Sequence, residues 1–166
     1  MALESNAFCR SGDVQAHPTH VWTAGLHACM FLCVRTRSGH IGWHFDSKNM
    51  HLGTNMKRVK ILLSGIKAKD VLGGFLVPGD SRDTSTLALK PDCRTLRYRP
   101  MIDPTASRDF LLTYLKQFPW FRRINIYRRP LDDPKDIVCL RGSELQICDG
   151  TEFHLTSCVA DGALMV

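Results

Sequence analysis

Short apolar runs separated by polar turns dominate the first half of the chain. Residues 29–35 and 41–45 are two such runs of strand length, and the turn-forming sequence Arg-Ser-Gly lies between them at 37–39. This pattern predicts a β-hairpin. The stretch 21–28, which contains Gly25, lacks such a pattern and is predicted to be a loop. Further strands are predicted at residues 57–63, 71–77, 124–127, 137–140, 145–148 and 153–158, with shorter ones at 87–89 and 95–98.

One clear helix is predicted, over residues 104–118. Asp103 is a suitable N-cap, Pro104 fits the first helical position, and Pro119 ends the pattern. The apolar residues that repeat at helical spacing are Phe110, Leu111, Tyr114, Leu115 and Phe118. Many strands and one helix predict a sheet-dominated α+β fold.

Two adjacent glycines interrupt the predicted strand at 71–77. Gly73 and Gly74 leave no side chain to pack within that strand. Glycines at such positions are typical of a β-bulge or of a close approach by another part of the backbone. We therefore expect one of these two features in the middle of this strand.

The composition is that of an ordinary globular protein. Hydrophobic residues occupy 44% of the 166 positions and charged residues 23%, which excludes a disordered or collagen-like chain. The length fits a single domain, residues 1–166. The seven cysteines are odd in number and irregularly spaced, so reduced thiols are expected. The first residues do not resemble a cleaved signal peptide, and no apolar run reaches the roughly 18 residues of a membrane span.

Positive charge is concentrated in one part of the sequence. The net charge is +6, but residues 90–129 hold 10 basic and 3 acidic residues, whereas residues 130–166 hold 2 basic and 7 acidic ones. Arginines and aromatic residues that could contact phosphates and bases are Trp120, Phe121, Arg122, Arg123, Tyr127, Arg128 and Arg129. One possible function is therefore that of a basic module that binds nucleic acid or an acidic partner without catalysis. No nucleic-acid fold signature accompanies the block, so nucleic acid is not the expected partner, while contact with an anionic membrane is compatible with it.

The predicted hairpin brings a thiol and an imidazole together. Cys29 lies at the start of its first strand and His44 lies near the end of its second, and these two ends are neighbours in an antiparallel pair. A cysteine nucleophile needs such a base, because the imidazole takes the thiol proton and the resulting ion pair stabilises the thiolate. Gly25 and Ala28 are small, which would let a substrate approach Cys29 closely.

A zinc site is an alternative use of the same segment. Cys29, Cys33, His40 and His44 follow the pattern Cys-x3-Cys-x6-His-x3-His. The six residues between the pairs are fewer than a zinc finger uses. Residues four apart on a strand also lie roughly 13 Å from each other, too far to share one ion. We therefore do not expect these four residues to bind a zinc ion.

The segment resembles a known family of enzymes. The residues that carry the resemblance are Thr23, the sequence Leu-His-Ala-Cys at 26–29, and His44. In this arrangement the chain is similar to the protein-glutamine deamidases of the CheD and cytotoxic-necrotizing-factor type, which include the Burkholderia lethal factor toxins. The resemblance covers residues 21–46. It departs from the family at Ala28, where relatives have glycine or serine, and at His27, which has no assigned role.

The resemblance implies a fold, a reaction and a set of catalytic residues. The fold would be the CheD-like α/β sandwich, and the reaction would hydrolyse a glutamine side-chain amide of a protein to glutamate. Cys29 would be the nucleophile, His44 the general base, and Thr23 the residue that orients His44 through its hydroxyl or carbonyl group. No cofactor would be needed.

The resemblance also implies a biological setting. The partner would be a protein substrate with a reactive glutamine, such as a small GTPase or a translation factor. The chain would be a monomeric toxin or effector that is secreted without a cleavable signal peptide and acts in a host cytosol. The bacterial cytoplasm is the other location that the family allows.

Overall fold

Ten strands and few helices make up the part of the chain that the structure, a computed structural model, describes. That part comprises residues 3–26, 29–45, 53–79, 91–92, 97–98, 111–127, 135 and 137–148. The strands are β1 (Val14–His17), β2 (His20–Thr23), β3 (Met30–Thr36), β4 (Gly39–Phe45), β5 (Val71–Pro78), β6 (Pro91–Asp92), β7 (Arg97–Tyr98), β8 (Ile124–Ile126), β9 (Ile137–Arg141) and β10 (Glu144–Cys148). Helix α1 spans Gly53–Gly65, residues 111–115 are helical, and 3₁₀ turns lie at Ser5–Ala7, Ala68–Asp70 and Pro119–Arg123.

Two sheets pack face to face. The larger has the order β1-β4-β3-β5-β8 and the smaller has the order β10-β9-β2, while β6 and β7 form a separate pair. All neighbours in the two main sheets are antiparallel except β5 and β8, which are parallel. The fold is therefore mixed and sheet-dominated, in agreement with the predicted α+β class.

The larger sheet buries both of its faces because each face meets a different layer. One face packs against α1, residues 111–115 and the last 3₁₀ turn, through side chains that include Leu32, Trp43 and Val59. The other packs against the smaller sheet through Phe31, Val21, Val138 and Leu140. The alternation of β3 explains this, since neighbouring residues of a strand face opposite sides.

The N-terminal segment covers the outer face of the smaller sheet. Leu3 and Ala7 pack there with Trp22, Ile137 and Cys139. Trp22 is buried, and its indole N–H donates a hydrogen bond to the carbonyl oxygen of Glu4 at 2.8 Å. This third apolar cluster holds residues 3–9 against the strand that ends at Thr23.

Several predicted strands are confirmed. The hairpin of residues 29–45 exists as β3 and β4, and β5, β8, β9 and β10 lie where the sequence places them. The glycine pair in β5 has both expected features. The register between β3 and β5 shifts beside Gly73, and a Cβ added at Gly74 would collide with the carbonyl oxygen of Cys33.

Two predictions about local structure are wrong. Residues 57–63, predicted as a strand, belong to helix α1, because Val59, Leu62, Leu63 and Ile66 recur at helical spacing and all pack against the larger sheet. Part of the stretch 21–28, predicted as a loop, is strand β2, which is fully buried between its two neighbouring layers.

The predicted helix at 104–118 is shorter at its end. Residues 111–115 are helical, and Phe118 has extended dihedrals because it precedes Pro119. The first part of this helix and the predicted strands at 87–89 and 153–158 lie outside the described residues.

Trp120, one of the aromatic residues of the basic block, has a structural role. Trp120 is buried, stacks on Phe118, and donates its indole N–H to the carbonyl oxygen of Leu63 at 3.1 Å. Trp120 therefore cannot serve as a platform for a base, as the nucleic-acid alternative requires. Within the described residues, no helix is long and apolar enough to cross a membrane.

Candidate active site

The hairpin register places Cys29 near His44. Phe31 lies opposite His44, and Met30 lies opposite Phe45. Cys29 precedes β3 by one residue and packs against the same apolar cluster as Phe31, so it lies on the face that carries His44. Residues in this relation are diagonal neighbours, with Cα atoms about 7–8 Å apart. Side chains of this length can meet across that distance.

His44 is held by a threonine from the other sheet. The Oγ1 atom of Thr23, at the end of β2, lies 2.6 Å from Nδ1 of His44, and both residues are buried. Thr23 and Val21 share the face of β2 that looks towards the larger sheet. The contact predicted from the sequence therefore exists, and it uses the threonine hydroxyl group.

A second hydrogen bond determines the direction of the first. The Thr23 hydroxyl donates to the carbonyl oxygen of Cys9 at 2.8 Å. A hydroxyl has one proton, so with that proton on Cys9 its oxygen accepts from His44. We therefore assign the Nδ1–H tautomer to neutral His44. This tautomer leaves the lone pair on Nε2, which is the nitrogen that a general base uses.

The backbone of His44 is also fixed, by a turn before β1. The Gly12 N–H donates to the carbonyl oxygen of His44 at 2.9 Å, and the His44 N–H donates to the carbonyl oxygen of Asp13 at 3.1 Å. The Cys9 N–H in turn donates to the carbonyl oxygen of Trp22 at 2.8 Å. Residues 9–13 therefore connect β2 to β4 and hold both partners of the Thr23–His44 contact.

The loop before Cys29 is anchored by one apolar side chain. Gly25 adopts the left-handed conformation with φ of 69°, which glycine tolerates best. Leu26 follows and is fully buried between the two sheets. Leu26 thus ties the loop to the core three residues after the end of β2. His27, Ala28 and Asp46 lie outside the described residues.

The other cysteines have different environments from Cys29. Burial raises the pKa of the Cys9 and Cys33 thiols, so both stay protonated at neutral pH. Cys139 is fully buried, whereas Cys29 and Cys148 are half-buried. Of the five cysteines in the described residues, Cys29 and Cys148 are therefore the two that a reagent can reach.

Cys29, Cys33, His40 and His44, the residues of the possible zinc site, lie on the same face of the larger sheet but too far apart to bind one ion. His40 lies opposite Arg35, six residues along β3 from Cys29, which corresponds to roughly 20 Å. The ring nitrogens of His40 lie 3.3 Å and 3.0 Å from the carbonyl oxygens of Pro18 and Gly142. Across the described ranges, no group of three or more metal-binding side chains comes together.

The two tryptophans near the site are core residues. Trp43 faces the helices and makes edge-on contacts with Phe45 and Tyr114, while Trp22 contacts Phe8 under the N-terminal segment. Both are 1% exposed, which is too little for either to form the wall of an open pocket.

Sequence reasoning missed the contribution of residues 9–13. They act through backbone groups, which leave no pattern of side chains. Gly42 was the one available signal, because a glycine in the interior of a strand indicates a close approach by another part of the protein. A Cβ at this position would collide with Sγ of Cys9 and lie 3.0 Å from the ring of Phe31.

No protein-family model matches this chain, and no curated protein matches it either. The functional interpretation therefore depends on the geometry of Thr23, Cys29 and His44.

Proposed function

We propose that this protein is a cysteine-dependent protein-glutamine deamidase. It hydrolyses the side-chain amide of a glutamine in a target protein, with Cys29 as nucleophile, His44 as general base and Thr23 as the residue that orients His44. The observation that carries the proposal is the buried chain of hydrogen bonds from His44 Nδ1 through the Thr23 hydroxyl to the carbonyl oxygen of Cys9. This chain supports the proposal because it places the proton of the neutral ring on Nδ1 and leaves Nε2 as the nitrogen that can accept the thiol proton.

In the first half of the reaction, the amide nitrogen leaves as ammonia. His44 Nε2 takes the proton of the Cys29 thiol, and the thiolate attacks the carboxamide carbon of glutamine. The carbon becomes tetrahedral and its oxygen takes up negative charge. The imidazolium then gives its proton to the nitrogen, the C–N bond breaks, and a thioester between the substrate and Cys29 remains.

In the second half, water replaces the sulfur. His44 Nε2 removes a proton from a water molecule, and the hydroxide attacks the thioester carbonyl. The C–S bond breaks, the Cys29 thiolate is released, and the side chain leaves as glutamate. Thr23 accepts the Nδ1–H hydrogen bond throughout, so the ring stays oriented while Nε2 gains and loses its proton.

We also propose that the fold is the CheD-like sandwich and that the protein acts on a host protein. An α+β arrangement in which a helix layer and a second sheet cover the two faces of a central sheet is compatible with the CheD-like sandwich. The substrate is a protein such as a small GTPase or a translation factor. The chain then acts as an effector or toxin inside a host cell.

The reaction can be tested without knowing the target. A cytosolic protein extract, freed of small molecules, is incubated with the protein in ¹⁸O-labelled water, and its peptides are then analysed by mass spectrometry. We expect at least one glutamine to become a glutamate labelled with ¹⁸O, with release of ammonia.

Two cysteine variants make the test specific. Cys29→Ser should lose the labelled glutamates, whereas Cys148→Ser, at the other half-buried cysteine, should keep them. If wild type and Cys29→Ser yield the same set of labelled glutamates, the proposal is contradicted.

A further inference from the structure

A groove runs between helix α1 and strand β1, on the side of the larger sheet that carries the helices. Its volume is about 500 Å³. Its floor is apolar and its rim is basic, formed by Val14, Ala16, Ile61, Leu62, Lys57 and Arg58. Ile61 is 67% exposed, more than any other large hydrophobic residue in the described ranges. Apolar surface of this kind beside charged residues is typical of a binding site.

The groove continues along the helix. A second cavity of about 260 Å³ shares Ile61 and Leu62 with the first and extends past Ile41 to Ser38 in the β3–β4 turn. The two cavities together follow α1 for about two turns, from strand β1 to the β3–β4 turn. A ligand that fits this shape is long and narrow, as an extended peptide segment is.

One end of the groove lies beside the proposed active site. Val14, in the groove, pairs with Trp43, and Asp13 accepts the hydrogen bond from the backbone N–H of His44. Because neighbouring residues of β4 face opposite sides, Trp43 lies towards the groove and His44 lies towards the second sheet. A chain that leaves the groove at Asp13 therefore has to turn round the edge of the sheet to reach Cys29.

The charges around the first cavity select the ligand, since the second cavity is lined by one basic and one acidic residue, Lys67 and Asp70. Helix α1 carries Lys57, Arg58 and Lys60 and no acidic residue. Arg58 lies 3.3 Å from the Asp13 carboxylate, but its side chain is 61% exposed, so this pair is weak and open to exchange. An acidic side chain from a ligand can replace Asp13 or pair with Lys57.

We propose that this groove binds an extended segment of the protein substrate in which acidic and apolar residues alternate. Strand β1 is an edge of the larger sheet and, among the described residues, pairs with β4 alone. A segment lying in the groove, between β1 and α1, places every second side chain on the apolar floor formed by Val14 and Ala16 and the others towards the rim of Lys57 and Arg58. The inference rests on the proposed function, because it identifies the bound segment as part of the substrate.

The experiment uses a synthetic peptide as the probe. A blocked peptide of alternating glutamate and valine is titrated into ¹⁵N-labelled protein, and backbone amide shifts are followed by NMR. We expect the largest shifts at residues 14–16 and 57–62. The double variant Lys57→Glu/Arg58→Glu should weaken binding at least about tenfold, because it reverses the charge of the rim.

Two controls separate this site from a general effect of charge. The double variant Lys116→Glu/Arg122→Glu changes two exposed basic residues elsewhere and should bind the peptide as the wild type does. A peptide with lysine in place of glutamate should not bind. If shifts are absent, are spread over the whole surface, or are unaffected by Lys57→Glu/Arg58→Glu, the groove is not the docking site.

Alkylation of Cys29 distinguishes failure of this inference from failure of the proposed function. If Cys29 reacts selectively while the peptide does not bind the groove, the docking proposal alone is wrong. If Cys29 shows no selective reactivity, the proposed function is wrong whether or not the peptide binds. The rim variant should lose the peptide and keep the wild-type alkylation rate, because Lys57 and Arg58 lie on the helix side of the larger sheet, whereas Cys29 and His44 lie on its other face.

Discussion

Thr23 connects two sheets through a single hydroxyl group. It accepts a hydrogen bond from His44 on β4 and donates one to the carbonyl oxygen of Cys9. The hydrogen bond to Cys9 fixes the direction of the one to His44. Without it, the Thr23 hydroxyl could donate to Nδ1 of His44, and the ring proton would then lie on Nε2. At the scale of single residues, the proposed chemistry therefore depends on whether the proton of neutral His44 lies on Nδ1 or on Nε2.

The first prediction concerns this hydroxyl. Thr23→Val has nearly the same shape but no hydroxyl, so His44 loses its orienting partner and the turnover number should fall about 100-fold. Thr23→Ser keeps the hydroxyl and should recover most of that loss. The measurement is the rate of ammonia release as a function of pH. Equal rates for the valine and serine variants would show that the hydroxyl has no role in positioning.

The second prediction concerns His20, at the opposite end of β2 from Thr23. Burial, followed by Arg141 and His17, lowers the pKa of His20 from 6.5 to about 4. The neutral ring accepts a hydrogen bond from the Glu4 N–H at 3.2 Å, which protonation of that nitrogen would break. The unfolded chain binds a proton more readily, so the free energy of unfolding should fall between pH 6.5 and about pH 4.

Denaturant unfolding as a function of pH checks this prediction. The loss attributable to His20 should reach at most about 3 kcal/mol, as expected for a shift of this size. In His20→Gln an amide oxygen can accept the Glu4 hydrogen bond without titrating, so the unfolding free energy should depend less on pH in this range. If the two proteins have the same dependence on pH, His20 is not the group that titrates.

The residues of the candidate site could be predicted from the sequence, but the backbone groups that hold them in place could not. Cys29 and His44 fall at the ends of a hairpin that the alternating pattern defines, and Thr23 follows from the family resemblance. The carbonyl group of Cys9 could not be predicted, because every residue has a carbonyl and the contact depends on how the N-terminal segment folds.

At the scale of elements, the approach of the N-terminal segment to β4 requires a glycine. A Cβ at Gly42 would collide with Sγ of Cys9. Gly42→Ala should therefore lower the free energy of unfolding by about 1–3 kcal/mol. It should also lower activity, because it displaces the residue whose carbonyl oxygen holds Thr23. Chemical denaturation and the ammonia assay measure the two effects.

Gly65, at the end of α1, provides the matched control. An added Cβ there would have no neighbour within 4 Å, so Gly65→Ala should be neutral or stabilise the protein by up to about 1 kcal/mol. If Gly42→Ala behaves like Gly65→Ala, the close packing of Cys9 against β4 is not important for stability.

The elements themselves were predictable where their hydrophobic period was unambiguous. The β3–β4 hairpin and the bulge in β5 have clear local patterns of apolar residues, turns and glycines. The segment 57–63 does not, because Val59 and Leu63 fit the period of a strand as well as that of a helix. Only the packing of α1 against the larger sheet decides between the two, and that information is not local.

At the scale of the whole molecule, the site depends on the packing of two sheets. Thr23 belongs to the smaller sheet and His44 to the larger, and their contact lies among the apolar side chains that pack between the two sheets. The α+β class was predictable from the number and length of apolar runs. The division of the strands into two facing sheets was not, because β2 pairs with β9, more than 110 residues later in the chain.

The fourth prediction tests this dependence. Leu140 on β9 is 1% exposed and lies in the layer between the sheets. Leu140→Ala should lower the free energy of unfolding by about 2–5 kcal/mol and should also reduce activity, because it loosens the packing that aligns Thr23 with His44. Leu72→Ala, at a residue that is 47% exposed, should change both quantities little. A loss of stability in Leu140→Ala without loss of activity would show that the site does not need the tight sheet packing.

The most direct test of the central claim is the alkylation rate of each cysteine, measured by mass spectrometry with limiting iodoacetamide at about pH 6, where an ordinary thiol is almost fully protonated. We expect Cys29 to react at least about tenfold faster than Cys148, which is also half-buried, and His44→Gln to remove this advantage. Equal rates at Cys29 and Cys148, or an advantage that persists in His44→Gln, would contradict a thiolate–imidazolium pair and with it the proposed enzyme.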